Sequence, residues 1–185
     1  SAVGVDHMLR LPDFPRHLPL IRMGSEEGAQ RMAEYVSWAC LHLLRGGRRM
    51  AVQQGGTVWK DFETPRTAHD TRVGILGQGN LGLAAGRMLR DIGFPVAGWS
   101  RTPKHEPGIE SFHGPGSLDA FLARTDILVS LLPATAETEG LLDAARLARL
   151  PAGAAVVNAG RGVQVVDAAL LAALDSGHLS GAVLD

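Results

Sequence analysis

Residues 73–82 read Val73-Gly74-Ile75-Leu76-Gly77-Gln78-Gly79-Asn80-Leu81-Gly82. A short apolar run breaks into glycines spaced G-x-G-x-x-G, which predicts a strand, a tight turn and a helix opening on a dinucleotide. Gly77 permits the turn off the strand. Gly79 lets the backbone approach a pyrophosphate, and Gly82 lets the following helix pack closely on the sheet. The first N–H groups of that helix lack partners and its dipole is positive at this end, so a pyrophosphate supplies what is missing. Leu81, Ala84, Ala85, Met88, Leu89 and Ile92 then recur at helical spacing and Gly93 ends the run. This context makes the reading more specific than the glycines alone.

Downstream the strand–helix alternation repeats. Strands are expected at 73–77, 96–100, 127–132, 154–158 and 181–184, and helices at 81–92, 117–123, 140–149 and 167–176. Ser117 and Asp167 read as helix caps, and Pro151 with Gly153 separates a helix from the next strand. Parallel strands need such crossovers, so the expected fold class is α/β: a doubly wound parallel sheet, a Rossmann-like dinucleotide-binding domain. In such sheets ligands lie beyond the carboxyl ends of the strands.

Upstream, residues 1–6 read as a strand and turn without an initiator Met, which suggests a piece of a longer chain. Prolines at 12, 15 and 19 mark a connector. A helix is expected after Ser25, a cap, with Glu26 and Glu27 in its first turn. Met32, Tyr35, Val36, Ala39, Cys40, Leu43 and Leu44 form its apolar face, and Gly46-Gly47 stops it. Residues 48–71 are mixed. Trp59 there suits either an exposed contact or a partly buried anchor.

Composition narrows the function classes. Of 185 residues, 45% are hydrophobic and 20% charged, which is ordinary for a globular domain. A net charge of −1 gives no basic footprint for nucleic acid. The single cysteine, Cys40, excludes an internal disulfide or a cysteine metal cluster and suits a reducing compartment. No apolar run approaches the roughly eighteen residues that span a bilayer, and the start does not resemble a signal peptide, so a cytoplasmic location is expected. No metal is expected.

The strand ends carry the chemistry. An enzyme specific for NAD usually has Asp or Glu about twenty residues beyond the glycines, to hold the ribose 2′-hydroxyl. Here the second strand ends Trp99-Ser100-Arg101-Thr102, with Lys104 close by. A hydroxyl and two cations suit a 2′-phosphate, so NADP is expected over NAD, although Arg101 as a solvated loop residue would read alike. Leu132 and Pro133 end the third strand, where they either pack on the adenine or ribose or simply terminate the strand. Arg161 stands between two glycines after the fourth strand, placed to hold a carboxylate through two hydrogen bonds. Asp185 follows the fifth.

On these stretches, with Leu131-Leu132-Pro133-Ala134-Thr135-Ala136-Glu137-Thr138, Asn158-Ala159-Gly160-Arg161-Gly162 and 171–185, the chain resembles the D-isomer-specific 2-hydroxyacid dehydrogenases. Within them it is similar to the glyoxylate/hydroxypyruvate reductase A type. The resemblance covers nearly the whole chain. It implies hydride transfer from a reduced nicotinamide to a 2-oxoacid, with Arg161 as the catalytic arginine that binds the substrate carboxylate and polarises its carbonyl. It also implies that Gly77, Gln78, Gly79, Asn80, Leu81, Gly82, Ser100, Arg101, Thr102, Lys104, Leu132 and Pro133 line the cofactor. Ala159 and Asp185 would lie by the carboxamide, and Val3 and Gly4 would be substrate-domain backbone meeting the carboxylate. Residues 1–20 would be a remnant of a substrate domain with its connector, and 21–185 the dinucleotide domain, in which 21–71 form an arm through which a homodimer assembles.

The resemblance further implies a proton-donating histidine and a glutamate that keeps it protonated, both beyond the position matching Asp185, and this sequence contains neither. None of His7, His17, His42, His69, His105, His113 and His178 is expected to end a strand. General acid catalysis contributes about 10²–10⁴ in rate, so these residues promise binding more than turnover. A non-catalytic dinucleotide sensor or interaction module on the same fold is the alternative.

Overall fold

The computed structural model describes residues 8, 11–20, 24–63 and 66–185; the strand and turn expected at 1–6 lie outside them. Six parallel strands form one sheet: β1 (Val73–Leu76), β2 (Val96–Ser100), β3 (Ile109–His113), β4 (Ile127–Ser130), β5 (Ala154–Asn158) and β6 (Leu179–Leu184). Their spatial order is β3-β2-β1-β4-β5-β6, the order of a doubly wound dinucleotide fold. Every residue of β1, β4 and β5 is buried, as expected of strands covered on both faces.

Among elements lying wholly within the described residues, six α-helices accompany the sheet: α1 (Glu26–Leu44), α2 (Gly47–Gly55), α3 (Asn80–Ile92), α4 (Leu118–Ala123), α5 (Ala144–Leu147) and α6 (Asp167–Asp175). On one face, Ala33, Val36, Ala39 and Cys40 of α1 pack with Ala85 and Leu89 of α3 against Val73, Ile75, Val129 and Val157. On the other, Phe121, Leu122, Leu147 and Leu170 lie against Leu76, Leu128 and Val156. Fully buried Leu89 and Phe121, one on each face, contribute on the order of 1.5–3 kcal/mol apiece. Cys40 is core, and burial pushes its thiol up to about 12.

Ser25 caps α1 as expected, accepting from the Gly28 N–H at 3.0 Å. The helix ends at Leu44 with Arg45 as its cap, and Gly46, with φ of 66°, allows α2 to start at once, so the mixed stretch opens with a helix. That helix buries nothing, and Trp59 beyond it is fully exposed, which rules out the anchor reading within the described residues.

Four other expectations are corrected. β3 was missed because an edge strand that alternates apolar with polar residues carries little apolar signal. Ile109 is buried and Glu110 and His113 exposed. The helix expected at 140–149 shrinks to α5: Gly140 turns with φ of 60°, and Leu142 bridges Val165 instead, so residues 140–142 are hydrogen-bonded alongside 163–166. Asp143 then caps α5 by accepting from the Arg146 N–H at 2.9 Å. Ser117 does not cap α4, since its hydroxyl donates backwards to the His113 and Gly114 carbonyls. Asp167 is the first residue of α6, and Val166 holds the cap position. Among the described residues no helix is long and apolar enough to cross a membrane.

Candidate functional site

Because all six strands run the same way, the glycine turn and the segments after β2, β4, β5 and β6 share one edge of the sheet. At its centre Gly77 adopts φ of 104°, where an L side chain would be strained, and its N–H donates to the Trp99 carbonyl at 2.9 Å. Gly82 is compelled by packing: a Cβ there would run into the Gly77 carbonyl. Gly79 differs. Its φ of −83° and ψ of −169° suit any residue, and a Cβ would meet nothing within 4 Å. Packing within the protein does not require glycine at 79, which holds the cap position of α3 and leaves the loop open to close approach from outside. No side chain caps α3, and no acidic residue stands in its first turn, so the helix start suits an anion.

After β2, the exposed Arg101, Thr102 and Lys104 follow a buried Ser100. Ser100 Oγ lies 2.8 Å from the Thr102 carbonyl and 3.1 Å from Gln78 Oε1, and Ser111 Oγ of β3 lies 3.2 Å from the same Gln78 oxygen. The Gln78 side chain is therefore turned inward, between β2 and β3. Arg101 reaches Glu137 across the edge at 3.7 Å; both side chains are largely in solvent, so the pair is weak and readily exchanged for a stronger anion.

The segments after β4 and β5 are bolted together by Gln164, which is fully buried. Its Oε1 accepts from Ser130 Oγ at 2.7 Å, and its Nε2 donates to the Leu132 carbonyl at 2.6 Å and to the Pro133 carbonyl at 3.2 Å. Gly160 fits between them, since a Cβ would lie 2.8 Å from Gln164 Oε1. Leu132 is buried and Pro133 exposed, and Thr138 Oγ1 closes this loop by donating to the Pro133 carbonyl at 2.6 Å. Asn158 shapes the next one, donating from Nδ2 to the Arg161 carbonyl at 3.1 Å and accepting from the Gly160 N–H at 3.2 Å. Arg161 is half-buried there, with Nη1 donating to the Gly160 carbonyl at 2.8 Å. Ala159 is buried beside it, and its N–H donates to the Ser130 carbonyl. Asp185 extends the β5–β6 pairing through its N–H to the Asn158 carbonyl at 3.0 Å. Its charge also acts on Tyr35 of α1, whose phenol is pushed up first by burial and then by Asp185.

Sequence reading missed Gln164, Asn158, Ser130 and Ser111. Asn158 carried a signal, an Asn before a glycine at a strand end, where its side chain can bond its own backbone. The others carried none, because their partners are distant in sequence. Val3, Gly4 and His7 lie outside the described residues.

The expectation that no histidine ends a strand is corrected, since His113 ends β3 in register with Ser100. Four strand spacings of about 4.8 Å, roughly 19 Å in all, separate β3 from β5, so His113 belongs to the β2 side of the edge, far from Arg161. His178 is 3.1 Å from the Leu147 carbonyl, and the ring of His42 lies 5.3 Å from that of Trp38, so both have structural surroundings.

Comparison with known proteins accords with this geometry. The sequence model of the D-isomer specific 2-hydroxyacid dehydrogenase, NAD binding domain, matches residues 37–185. A D-isomer specific 2-hydroxyacid dehydrogenase from Xanthobacter autotrophicus, solved with NADPH and MES, is 44% identical with a TM-score of 0.92, over 98% of this chain and 74% of that one. An NADPH-dependent glyoxylate/hydroxypyruvate reductase from Sinorhizobium meliloti, solved with NADP and sulfate, is 42% identical (TM-score 0.91; 98% and 58% covered). A probable 2-hydroxyacid dehydrogenase from Rhizobium etli, solved with NADP, HEPES and L(+)-tartaric acid, is 38% identical (TM-score 0.91; 99% and 58% covered). The chain thus spans 58% of the length of two of these relatives and 74% of the third. It belongs to the D-isomer-specific 2-hydroxyacid dehydrogenase family.

Proposed function

We propose that this member of the 2-hydroxyacid dehydrogenase family forms the cofactor-binding part of an NADPH-dependent reductase. The reaction is conversion of a small 2-oxoacid of the glyoxylate/hydroxypyruvate type to the 2-hydroxy acid. The observation that carries this reading is the arrangement on one sheet edge. An uncapped, acid-free start of α3 lies between a cationic segment at Ser100–Lys104 and an arginine held by Asn158 and Gly160. The NADPH-bound and NADP-bound relatives support it.

Bound NADPH supplies the hydride. Backbone N–H groups at Gly79, Asn80 and Leu81 hold the pyrophosphate, with Gly77 and Gly82 keeping the turn tight. Arg101, Thr102 and Lys104, on the segment that the buried Ser100 starts, hold the 2′-phosphate, and Arg101 exchanges Glu137 for it. Leu132 and Pro133 give the nucleoside an apolar wall, and Ala159 and Asp185 flank the carboxamide. Arg161 grips the substrate carboxylate with its planar fork and draws charge from the carbonyl, which orients the reacting carbon for hydride. The arm at 21–71, with Trp59 and Val52 exposed, assembles two copies into a homodimer in the cytoplasm.

Equilibrium titration with NADPH and NADH tests the cofactor assignment. Tighter NADPH binding is expected, and equal or tighter NADH binding would overturn it.

A further inference from the structure

The side chain of Gln78 stands in the middle of the glycine loop yet does not face outward. It is only 3% exposed and lies over Gly98 of β2, where a Cβ would collide with the amide. Its Oε1 meets two hydroxyls, Ser100 at the end of β2 and Ser111 of β3, while its Nε2 is buried without a partner. A buried amide group left unpaired is costly, so a side chain this polar is an expensive way to fill space that Met would fill as well. What the amide achieves is confined to the two hydroxyls. Ser100 has one proton and two acceptors, Gln78 Oε1 and the Thr102 carbonyl. Gln78 thereby fixes the rotamer of Ser100 and, through Thr102, the start of the segment that carries Arg101 and Lys104.

We propose that Gln78 is a positioning residue for cofactor selectivity: its side chain is turned inward from the loop and, by orienting Ser100 and with it the start of the Arg101–Lys104 segment from beneath, sets the preference for a 2′-phosphate over a 2′-hydroxyl. This rests on the assignment of Ser100–Lys104 to the 2′-phosphate. Gly98 is part of the same device, because only glycine at that register leaves room for the amide.

The test is the ratio of NADPH to NADH dissociation constants, measured by equilibrium titration of the full-length protein. Gln78→Met keeps the volume and removes the hydrogen bonds. It should lower the ratio's preference for NADPH roughly three- to tenfold, the worth of about one hydrogen bond, while NADH affinity stays within about twofold. In a Ser100→Ala background the same replacement should change the ratio no further, because its effect passes through that hydroxyl. Should Gln78→Met fail to fold, Gln78→Asn, which withdraws the amide by one methylene, carries the same expectation. A ratio unchanged in a folded variant, equal weakening of both nucleotides, or an undiminished effect without Ser100 would each overturn the proposal and leave the cofactor assignment standing. A wild-type protein that does not prefer NADPH overturns the assignment itself.

Discussion

Ser130, the last residue of β4, donates its hydroxyl to Gln164 Oε1 at 2.7 Å across 34 residues of sequence. Through the same glutamine the Leu132 carbonyl is tied to the turn that follows Arg161. The two loops that would bracket a nicotinamide therefore move as one body. Gln164→Leu keeps the bulk but leaves the Ser130 hydroxyl and the Leu132 carbonyl buried and unpaired. Stability should fall by about 1–3 kcal/mol in urea denaturation. NADPH-dependent turnover should fall as well, because the Arg161 loop loses its tether.

Two neighbouring glycines should behave oppositely. Gly79→Ala meets nothing within the protein and only weakens the cap of α3, so stability should fall by no more than about 1 kcal/mol while nucleotide affinity drops sharply. Gly82→Ala drives a carbon into the Gly77 carbonyl and should lower stability and affinity together. Paired melting and nucleotide titration distinguish the two; equal affinity losses with equal stability losses would mean that Gly79 serves the fold.

Asp126 anchors the opposite end of the sheet, taking the Arg72 N–H at 2.8 Å and its guanidinium at 2.9 and 3.0 Å. Burial, the largest single influence, would raise this carboxyl, but the Arg72 hydrogen bonds and the charges of Arg72 and Arg66 together outweigh it and hold the group below its usual range. A lowered folded-state value means the stabilisation is complete above the ordinary carboxylate range and is lost as pH falls through the lower value. Asp126→Asn should cost roughly 1.5–3 kcal/mol near neutrality and flatten the acid limb of stability against pH. An unchanged acid limb would assign it to other carboxylates.

Much of this architecture is legible in the residues, and the exceptions have physical causes. The β1–α3 unit was readable because Gly77 and Gly82 are compelled locally, by a positive φ and by a backbone contact. β3 was not, because at a sheet edge half its residues face water and Glu110, Ser111 and His113 dilute the apolar pattern. Residues 140–149 carry a helical pattern that loses to a tertiary contact, Leu142 beside Val165, which local spacing does not encode. The same holds within the candidate site. Arg161 announced itself by its glycine neighbours, whereas Gln164 reads as an ordinary loop polar residue until Ser130 and Leu132 are beside it.

Trp59 and Val52 are 100% and 70% exposed on an arm whose helix α2 buries nothing. If the arm joins two copies, Trp59→Lys should shift the full-length protein toward monomer in sedimentation equilibrium, and an unchanged mass would exclude Trp59 from the contact.

The central claim is that this sheet edge serves a carboxylate-bearing substrate beside NADPH. The measurement that bears on it most directly is steady-state NADPH oxidation with glyoxylate and with hydroxypyruvate, in wild-type full-length protein and in Arg161→Ala, alongside NADPH affinity. The expected result is turnover in the wild type, and in the variant a raised KM, a lowered kcat and a loss in kcat/KM of roughly a hundredfold or more, with NADPH affinity preserved. Unchanged kinetics, or loss of NADPH binding in place of loss of turnover, would contradict it.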